Sequence, residues 1–537
     1  MTGDLLQGLL QAIQPSSLLA TGAGCLLGLV AGMIPGMTIS AAMIIVLPLT
    51  FVLDPNVSIG LFLGLYAGGM LGGSFSAILL NIPGTPSAAA TALDGYPLVA
   101  RGQAGRALGM AVSASFCGGL FSALCLFLIA PRLADLALQF RSADLFSLVF
   151  LGLTIICSFA SRSWIKGLLS AFIGLAIVTV GQDPVMGTAR FTFGDTNLLS
   201  GVHFLTALIG LFALPQLIEN LRGSGPSVAE RPVEPGGPGR LGGSDRPAAR
   251  GGPDRLSGGR LARPGKVDAT APAAGTLEIR KLLPAVADLR RIRLPVGIGS
   301  AVGTFLGILP GAGGPIAAFI SYDYAKKTTR RRDRFGRGAV EGVAAPEAAN
   351  NAVTGGALIP MMTLGIPGDP VTAILIGALL AHGLAPGPLL FVDQADFAYG
   401  LMFSFFWANV FNLLIALAGL RLLVKVVAAP RALLMPAVAI LCVVGAWSLR
   451  NSLFDVYVMF GFGLLGIAMK WLDMPVVPLL LALVLGRQLE ENLRIALTGS
   501  QGDVTVFLTS PFSALFLGLS VVSVIWSIVG ARRQRAP

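Results

Sequence analysis

Apolar stretches of membrane-spanning length follow one another along nearly the whole of this sequence, and no other feature limits its fold so strongly. Residues 107–130, 145–160, 168–180 and 398–420 are examples. A helix needs about 20 such residues to cross the hydrocarbon core, and somewhat fewer where it packs inside protein. No water is present there to pair with free backbone groups, so these stretches must be helical. Charged residues form only 12% of the 537, about half the ~25% a soluble domain needs to cover its surface. The sequence therefore predicts an all-α polytopic membrane protein with roughly ten to fourteen crossings.

The net charge of +11 resembles that of a nucleic-acid binder until it is mapped. Residues 222–275 contribute +4 and the run 326–337 contributes +6, with Phe335 the one aromatic residue among them. Positive charge gathered in the loops of a membrane protein marks its cytoplasmic side, and nucleic acid is excluded as a partner. The five cysteines lie inside apolar stretches without CxxC spacing, and the only histidines are His203 and His382. Neither set suggests a metal site, and no cofactor is expected beyond Na⁺ as a coupling ion.

Residues 222–275 are rich in Gly, Pro and Arg and poor in large apolar side chains, the composition of a flexible segment. The expected division is a first membrane repeat over 1–221, a flexible cytoplasmic linker over 222–289, a second membrane repeat over 290–495, and an extra C-terminal helix with a basic tail over 496–537. The repeats are read from two matched motifs. Gly32-Met-Ile-Pro35-Gly36 recurs 275 residues later as Gly307-Ile-Leu-Pro310-Gly311. Asn81-Ile-Pro83-Gly84-Thr85-Pro86 recurs 284 residues later as Gly365-Ile-Pro367-Gly368-Asp369-Pro370. Each lies within apolar sequence, where Pro-Gly must break a helix or turn it back as a re-entrant hairpin.

Equivalent loops carry opposite charge bias. Residues 101–106 hold +2 against −2 in 385–396, and 54–56 hold no positive charge against +6 in 326–337. Under the positive-inside rule the two repeats are inverted relative to one another. The linker and C-terminus are then cytoplasmic and the N-terminus periplasmic.

Helices broken at corresponding places in inverted repeats point to a transport site. A helix that begins at mid-membrane directs unpaired N–H groups and its positive dipole end toward a bound anion, and a carboxylate suits that position. The candidate substrate-binding residues are Pro35, Gly36, Thr38 and Ser40 at the first break. Asn81, Pro83, Gly84, Thr85, Pro86 and Ser87 lie at the second, Pro310, Gly311, Gly313 and Gly314 at the third, and Asn350, Asn351, Pro367 and Gly368 at or before the fourth. Thr363 and Asp369 are candidates for the coupling ion. Glu347 and Asp323 are read as interfacial acids bridged to the basic loop, and Asp94 as the end of a helix in a turn. No catalytic residue is assigned.

The segments 28–40, 72–109, 306–327 and 341–370, which carry these motifs, resemble the large membrane subunit of the tripartite tricarboxylate transporters. The resemblance extends over essentially the whole chain outside the linker. It implies secondary active uptake of citrate-like or related carboxylates across the cell inner membrane, coupled to Na⁺ or protons. It also implies a small membrane subunit and a periplasmic solute-binding protein that delivers substrate. Two other readings compete: a passive anion channel, and an intramembrane aspartyl protease using Asp323 and Asp369. The second lacks the Gly-x-Gly-Asp sequence such enzymes use, since Ile366 and Pro367 precede Gly368.

Overall fold

The computed structural model describes residues 2–34, 37–159, 164–183, 185–221, 284–311, 313–329, 331–426 and 431–535. Nearly all of them are helical. The first half runs α1 (Thr2–Ala12), α2 (Pro15–Met33), α3 (Ile39–Thr50), α4 (Pro55–Leu80), α5 (Ala88–Ala100), α6 (Ala104–Ala137), α7 (Ser142–Phe159), α8 (Trp164–Val178) and α9 (Phe204–Leu221). A two-residue hairpin pairing Gly181–Gln182 with Ala189–Arg190 interrupts the loop before α9. The second half runs α10 (Val286–Ile308), α11 (Gly313–Thr328), α12 (Val340–Leu364), α13 (Pro370–Ala381), the short α14 (Leu390–Asp393), α15 (Ala395–Val426), α16 (Arg431–Ser448), α17 (Leu453–Trp471) and α18 (Val476–Gly499). A single turn, α19 (Val506–Thr509), and α20 (Pro511–Arg535) close the chain. Helix α10 begins before the boundary expected at residue 290. The rest of the expected linker, 222–283, lies outside the described residues, as do Pro35 and Gly36.

Among the described residues, five helices are long and apolar enough to cross a membrane: α2, α4, α6, the Ala395–Gly419 part of α15, and α17. Five shorter apolar helices or segments accompany them, at Ile39–Thr50, Ser142–Cys157, Ile165–Val178, Pro370–Ala381 and Pro511–Ile525. This is the polytopic all-α architecture that the sequence predicts. The breaks account for short members such as α3 and α13, because each divides one apolar stretch into two pieces.

Helices α4 and α12 form the centre and are almost wholly buried. Glycines set how closely their neighbours approach. A Cβ on Gly28 of α2 would lie 2.3 Å from the Leu65 carbonyl oxygen of α4, and one on Gly303 of α10 would lie 2.3 Å from that of Ala349 in α12. Backbones this close need small residues at the crossing. Both central helices also end alike. Asn81 after α4 and Gly365 after α12 adopt left-handed conformations, with φ of 55° and 67°. Asn and Gly are the residues that tolerate that conformation best.

Side-chain contacts and the path of the chain sort the helix ends into two rims. On one, Arg106 pairs with Asp288 at 2.7 Å, and Lys166 Nζ donates to the Leu472 carbonyl. On the other, Gln11 donates to Asp396, Arg450 to Ser200, and Ser510 to Asp144.

Candidate functional site

In each half the two breaks dock on one another. The Gly84 N–H donates to the Gly73 carbonyl at 3.1 Å, and a Cβ on Gly84 would lie 2.1 Å from the Gly32 carbonyl oxygen. In the second half the Gly311 N–H donates to the Gly368 carbonyl at 2.9 Å, and Gly368 sits against Gly307 and Ala357. Gly84 and Gly368 thus let two broken segments touch. The Gly84 N–H is already given to protein.

The halves meet where α5 and α11 begin. Gly314, in the first turn of α11, would place a Cβ 3.3 Å from Ser87 and 3.4 Å from Asn350 Oδ1. Ser87 is the N-cap residue of α5 and makes no capping bond, while its Oγ lies 3.3 Å from Thr85 Oγ1. Asn350 donates from Nδ2 to the Met70 carbonyl at 3.2 Å, and its Oδ1 is buried without a hydrogen-bond partner. Two helix N-termini, two hydroxyls and an unpaired amide oxygen therefore converge. The first turns of both helices carry no acidic side chain.

A second crossing, between α3 and α13, occupies the equivalent place by the 275- and 284-residue spacings, but it is filled. Ile39 stands where the other crossing has Gly314, and it packs on Gly69. Tyr66 stands where the other has Asn350, and its hydroxyl donates to Asp369. Asp369 caps α13 in a reciprocal box with Thr372, whose N–H reaches Asp369 Oδ1 at 2.8 Å. Thr38 caps α3 by accepting from the Ala41 N–H at 3.1 Å, and Ser40 is buried in that helix. Thr363 turns its hydroxyl back to the Ile359 carbonyl. The structure thus gathers Thr85, Ser87, Gly313, Gly314 and Asn350, and sets Thr38, Ser40, Thr363 and Asp369 apart from them. Pro83, Pro86, Pro310 and Pro367 lie in the breaks and have no N–H to donate.

Two sequence readings require correction. Glu347 does not bridge to the basic loop. It is fully buried on α12, where Oε1 accepts from Ser74 of α4 and Thr91 of α5, both at 2.5 Å, and Oε2 accepts from Ser115 of α6 at 3.3 Å. Asn351 donates to Ser115 and so supports this cluster from one turn away. The signal lay in the Ala-rich run 343–352, which gives Glu347 no basic neighbour within a helical turn. Asp94 does not end a helix. It sits fully buried within α5 and accepts the Gly338 and Ala339 N–H groups at 2.7 and 2.8 Å, holding the start of α12. Asp323 does pair with the basic segment, through Lys327 at 2.5 Å. Asp323 and Asp369 have different partners and form no dyad.

A cavity of about 540 Å³ opens elsewhere, at the second rim, lined in part by Asp183, Arg190, His203, Gly377, Arg487 and Glu490. Arg190 pairs with Glu490 at 2.5 Å and with Asp183 at 3.3 Å, and Arg494 reaches Asp183 at 2.6 Å. The Met186 N–H, then that of Val185 and the Arg494 guanidinium, hold the Asp183 carboxyl below its ordinary range.

Comparison with known sequences places these features. The model of the tripartite tricarboxylate transporter TctA family matches residues 18–481. The chain is 34% identical over 535 residues to an "Uncharacterized 52.8 kDa protein in TAR-I ttuC' 3'region" of Agrobacterium vitis, covering 100% of this chain and 98% of that one. It is 40% identical over 233 residues to an "Uncharacterized protein in TAR-II ttuC' 3'region" of the same organism, covering 43% of this chain and 96% of that one. No solved structure matches.

Proposed function

Because the chain belongs to the tripartite tricarboxylate transporter TctA family, we propose that it is the large membrane subunit of a secondary active importer of citrate-like or related small carboxylates. A tripartite transporter has other subunits. Here they are a small membrane subunit and a periplasmic solute-binding protein that delivers the substrate. The family is one of transporters, and the chain's role is carriage rather than catalysis.

The observation that carries this reading is the crossing of α5 and α11. Helix N-termini present N–H groups and a positive dipole end to an anion, and the Ser87 and Thr85 hydroxyls can donate to carboxylate oxygens. The unpaired Asn350 oxygen adds an acceptor for a hydroxyl or protonated carboxyl on the same ligand. Such a site selects a carboxylate without burying an arginine.

The inverted-repeat reading is supported by the order of elements. Eight helices in the first half, α2 to α9, are followed by a similar series, α10 to α13 and α15 to α18. The rim bearing Arg101, Arg106, Lys166 and the basic 326–337 segment is cytoplasmic under the positive-inside rule. The opposite rim, where Arg190, Arg450 and Arg494 are paired with acids, is periplasmic. The membrane is the cell inner membrane.

The test is uptake of mono-, di- and tricarboxylates by the reconstituted transporter, under separate Na⁺ and proton gradients. Saturable accumulation of a carboxylate under either gradient is expected. Ser87→Ala should weaken substrate affinity by roughly ten- to a hundredfold, as for loss of a hydrogen bond to a charged group worth about 1.5–3 kcal/mol. Accumulation without any gradient would replace the carrier by a channel.

A further inference from the structure

We propose that Glu347 carries the coupling proton, and that the hydroxyl cluster of Ser74, Thr91 and Ser115 is the proton site of this carrier. The inference rests on the transport reading above and names the ion site that belongs to it.

Glu347 is fully buried, yet its partners are hydroxyl groups from three helices of the other half. The other acids buried among the described residues are held differently. Asp94, Asp144 and Asp369 accept backbone N–H groups. Asp183, Asp288 and Asp455 pair with arginine, and Glu341 lies in the field of Arg106. A backbone N–H or a guanidinium can only donate, so it fixes a carboxylate in its ionised form. A hydroxyl can donate to the carboxylate or accept from the carboxylic acid. The shell around Glu347 therefore serves both states and locks neither.

Among the described residues no charge offsets the ionised form, since Arg290, Arg291 and Arg293 lie in the first turns of α10, before Gly299 and Gly303 pack on Ala345 and Ala349. On α4, Tyr66 is committed to Asp369. On α5, Asp94 is held by the start of α12 and by the Tyr322 hydroxyl of α11. On α6, Arg106 is paired with Asp288 of α10, and Cys117 is exposed. On α11, Asp323 is paired with Lys327. An ionised Glu347 would be an uncompensated buried charge, which is costly in a protein interior.

The cluster is coupled to the proposed carboxylate site through α12. Glu347 and Asn350 are three residues apart on one helix and share a face. An anion at the α5–α11 crossing thus sits near the Glu347 carboxyl, and two negative charges there repel. Binding of the carboxylate favours the protonated acid, and protonation favours binding by the same factor. One proton enters with each substrate anion, sits on a Glu347 oxygen, and leaves when the substrate leaves.

The experiment uses the complete transporter in proteoliposomes with the membrane potential clamped at zero. An inward gradient of one pH unit should sustain about tenfold accumulation in the wild type. Glu347→Gln, which imitates the protonated acid, should exchange internal for external substrate but sustain no pH-driven accumulation. Equal pH-driven accumulation in the two proteins overturns the proposal. So does wild-type accumulation that follows a Na⁺ gradient and ignores the pH gradient. If Glu347→Gln does not fold, proton uptake by weakly buffered wild-type transporter on adding substrate decides the matter. Uptake of up to one proton per bound carboxylate, at a pH where the free transporter has released it, supports the proposal, and none at any pH overturns it. Failure of the wild type to exchange carboxylates at all would instead remove the transport reading beneath it.

Discussion

Glycines at or beside the Pro-Gly breaks do different work here, and the difference can be measured. A methyl group on Gly84 would meet the Gly32 carbonyl at 2.1 Å, and that oxygen belongs to a packed backbone that cannot turn aside. Overpacking of this kind costs about 1–3 kcal/mol, so Gly84→Ala should lower folded yield and thermal stability in detergent. On Gly314 the methyl group would stand 3.3 Å from the Ser87 side chain and 3.4 Å from Asn350 Oδ1. Small adjustments accommodate it, so Gly314→Ala should keep near-normal stability and lose carboxylate affinity. Equal loss of stability in the two variants would show that the α5–α11 crossing is scaffold. The sequence identified Gly84 within a Pro-Gly break and Gly314 beside one. It could not separate them, because only the fold reveals that Gly84 lies against a carbonyl and Gly314 against a serine and an amide. Glu347 was misread for a similar reason. Its three hydroxyl partners come from residues 232 to 273 positions away, and no local pattern reports them.

At the scale of elements, helix ends were more legible than helix contacts. The αL caps at Asn81 and Gly365 and the prolines that open α4 and α13 follow from local backbone rules. The Asp94 contact does not. It joins α5 of one half to the start of α12 in the other, and its removal leaves the buried Ala339 N–H and the half-buried Gly338 N–H unpaired. Asp94→Ala should destabilise the protein by about 1–3 kcal/mol per orphaned group, read as a lower melting temperature. Asp94→Asn, which keeps one acceptor oxygen, should lose less. The hairpin before α9 gives a pH signature. Asp183 has a folded pKa depressed below its ordinary value of 3.8, so ionisation favours the folded state. That stability is fully present above the ordinary value and is lost as pH falls through the depressed one. Between about pH 5 and about pH 3, wild-type melting temperature should fall more steeply than that of Asp183→Asn. Parallel curves would show that the Arg190–Asp183–Arg494 cluster does not hold the rim.

For the whole molecule, the proposed repeat accounts both for how much of the site the sequence revealed and for where it stopped. Duplicated breaks announce two equivalent crossings, α5 with α11 and α3 with α13, and loop charge orients them. Only the packing distinguishes the crossing filled by Tyr66, Ile39 and Asp369 from the one lined by Asn350, Gly314 and Ser87. Under the proposed carrier reading, this departure from the repeat leaves one open crossing rather than two. The symmetry itself makes a sharper claim, about sidedness. Gln103 and Arg334 lie on the rim that gathers the excess of basic residues, while Asp393 and Gln139 lie on the rim where Arg190, Arg450 and Arg494 pair with acids. Single cysteines at these four positions, in a background lacking the five native thiols, can be probed with a membrane-impermeant maleimide on intact cells. Asp393→Cys and Gln139→Cys should label from outside, and Gln103→Cys and Arg334→Cys only after the membrane is opened. Residue 103 belongs to the first-half loop whose repeat equivalent contains residue 393, so inverted repeats require them on opposite sides. Labelling of both from the same side would make the halves parallel. Helices α5 and α11, which both run to the rim of Arg101 and residues 326–337, would then run to opposite rims, and their N-termini could not open side by side onto one anion.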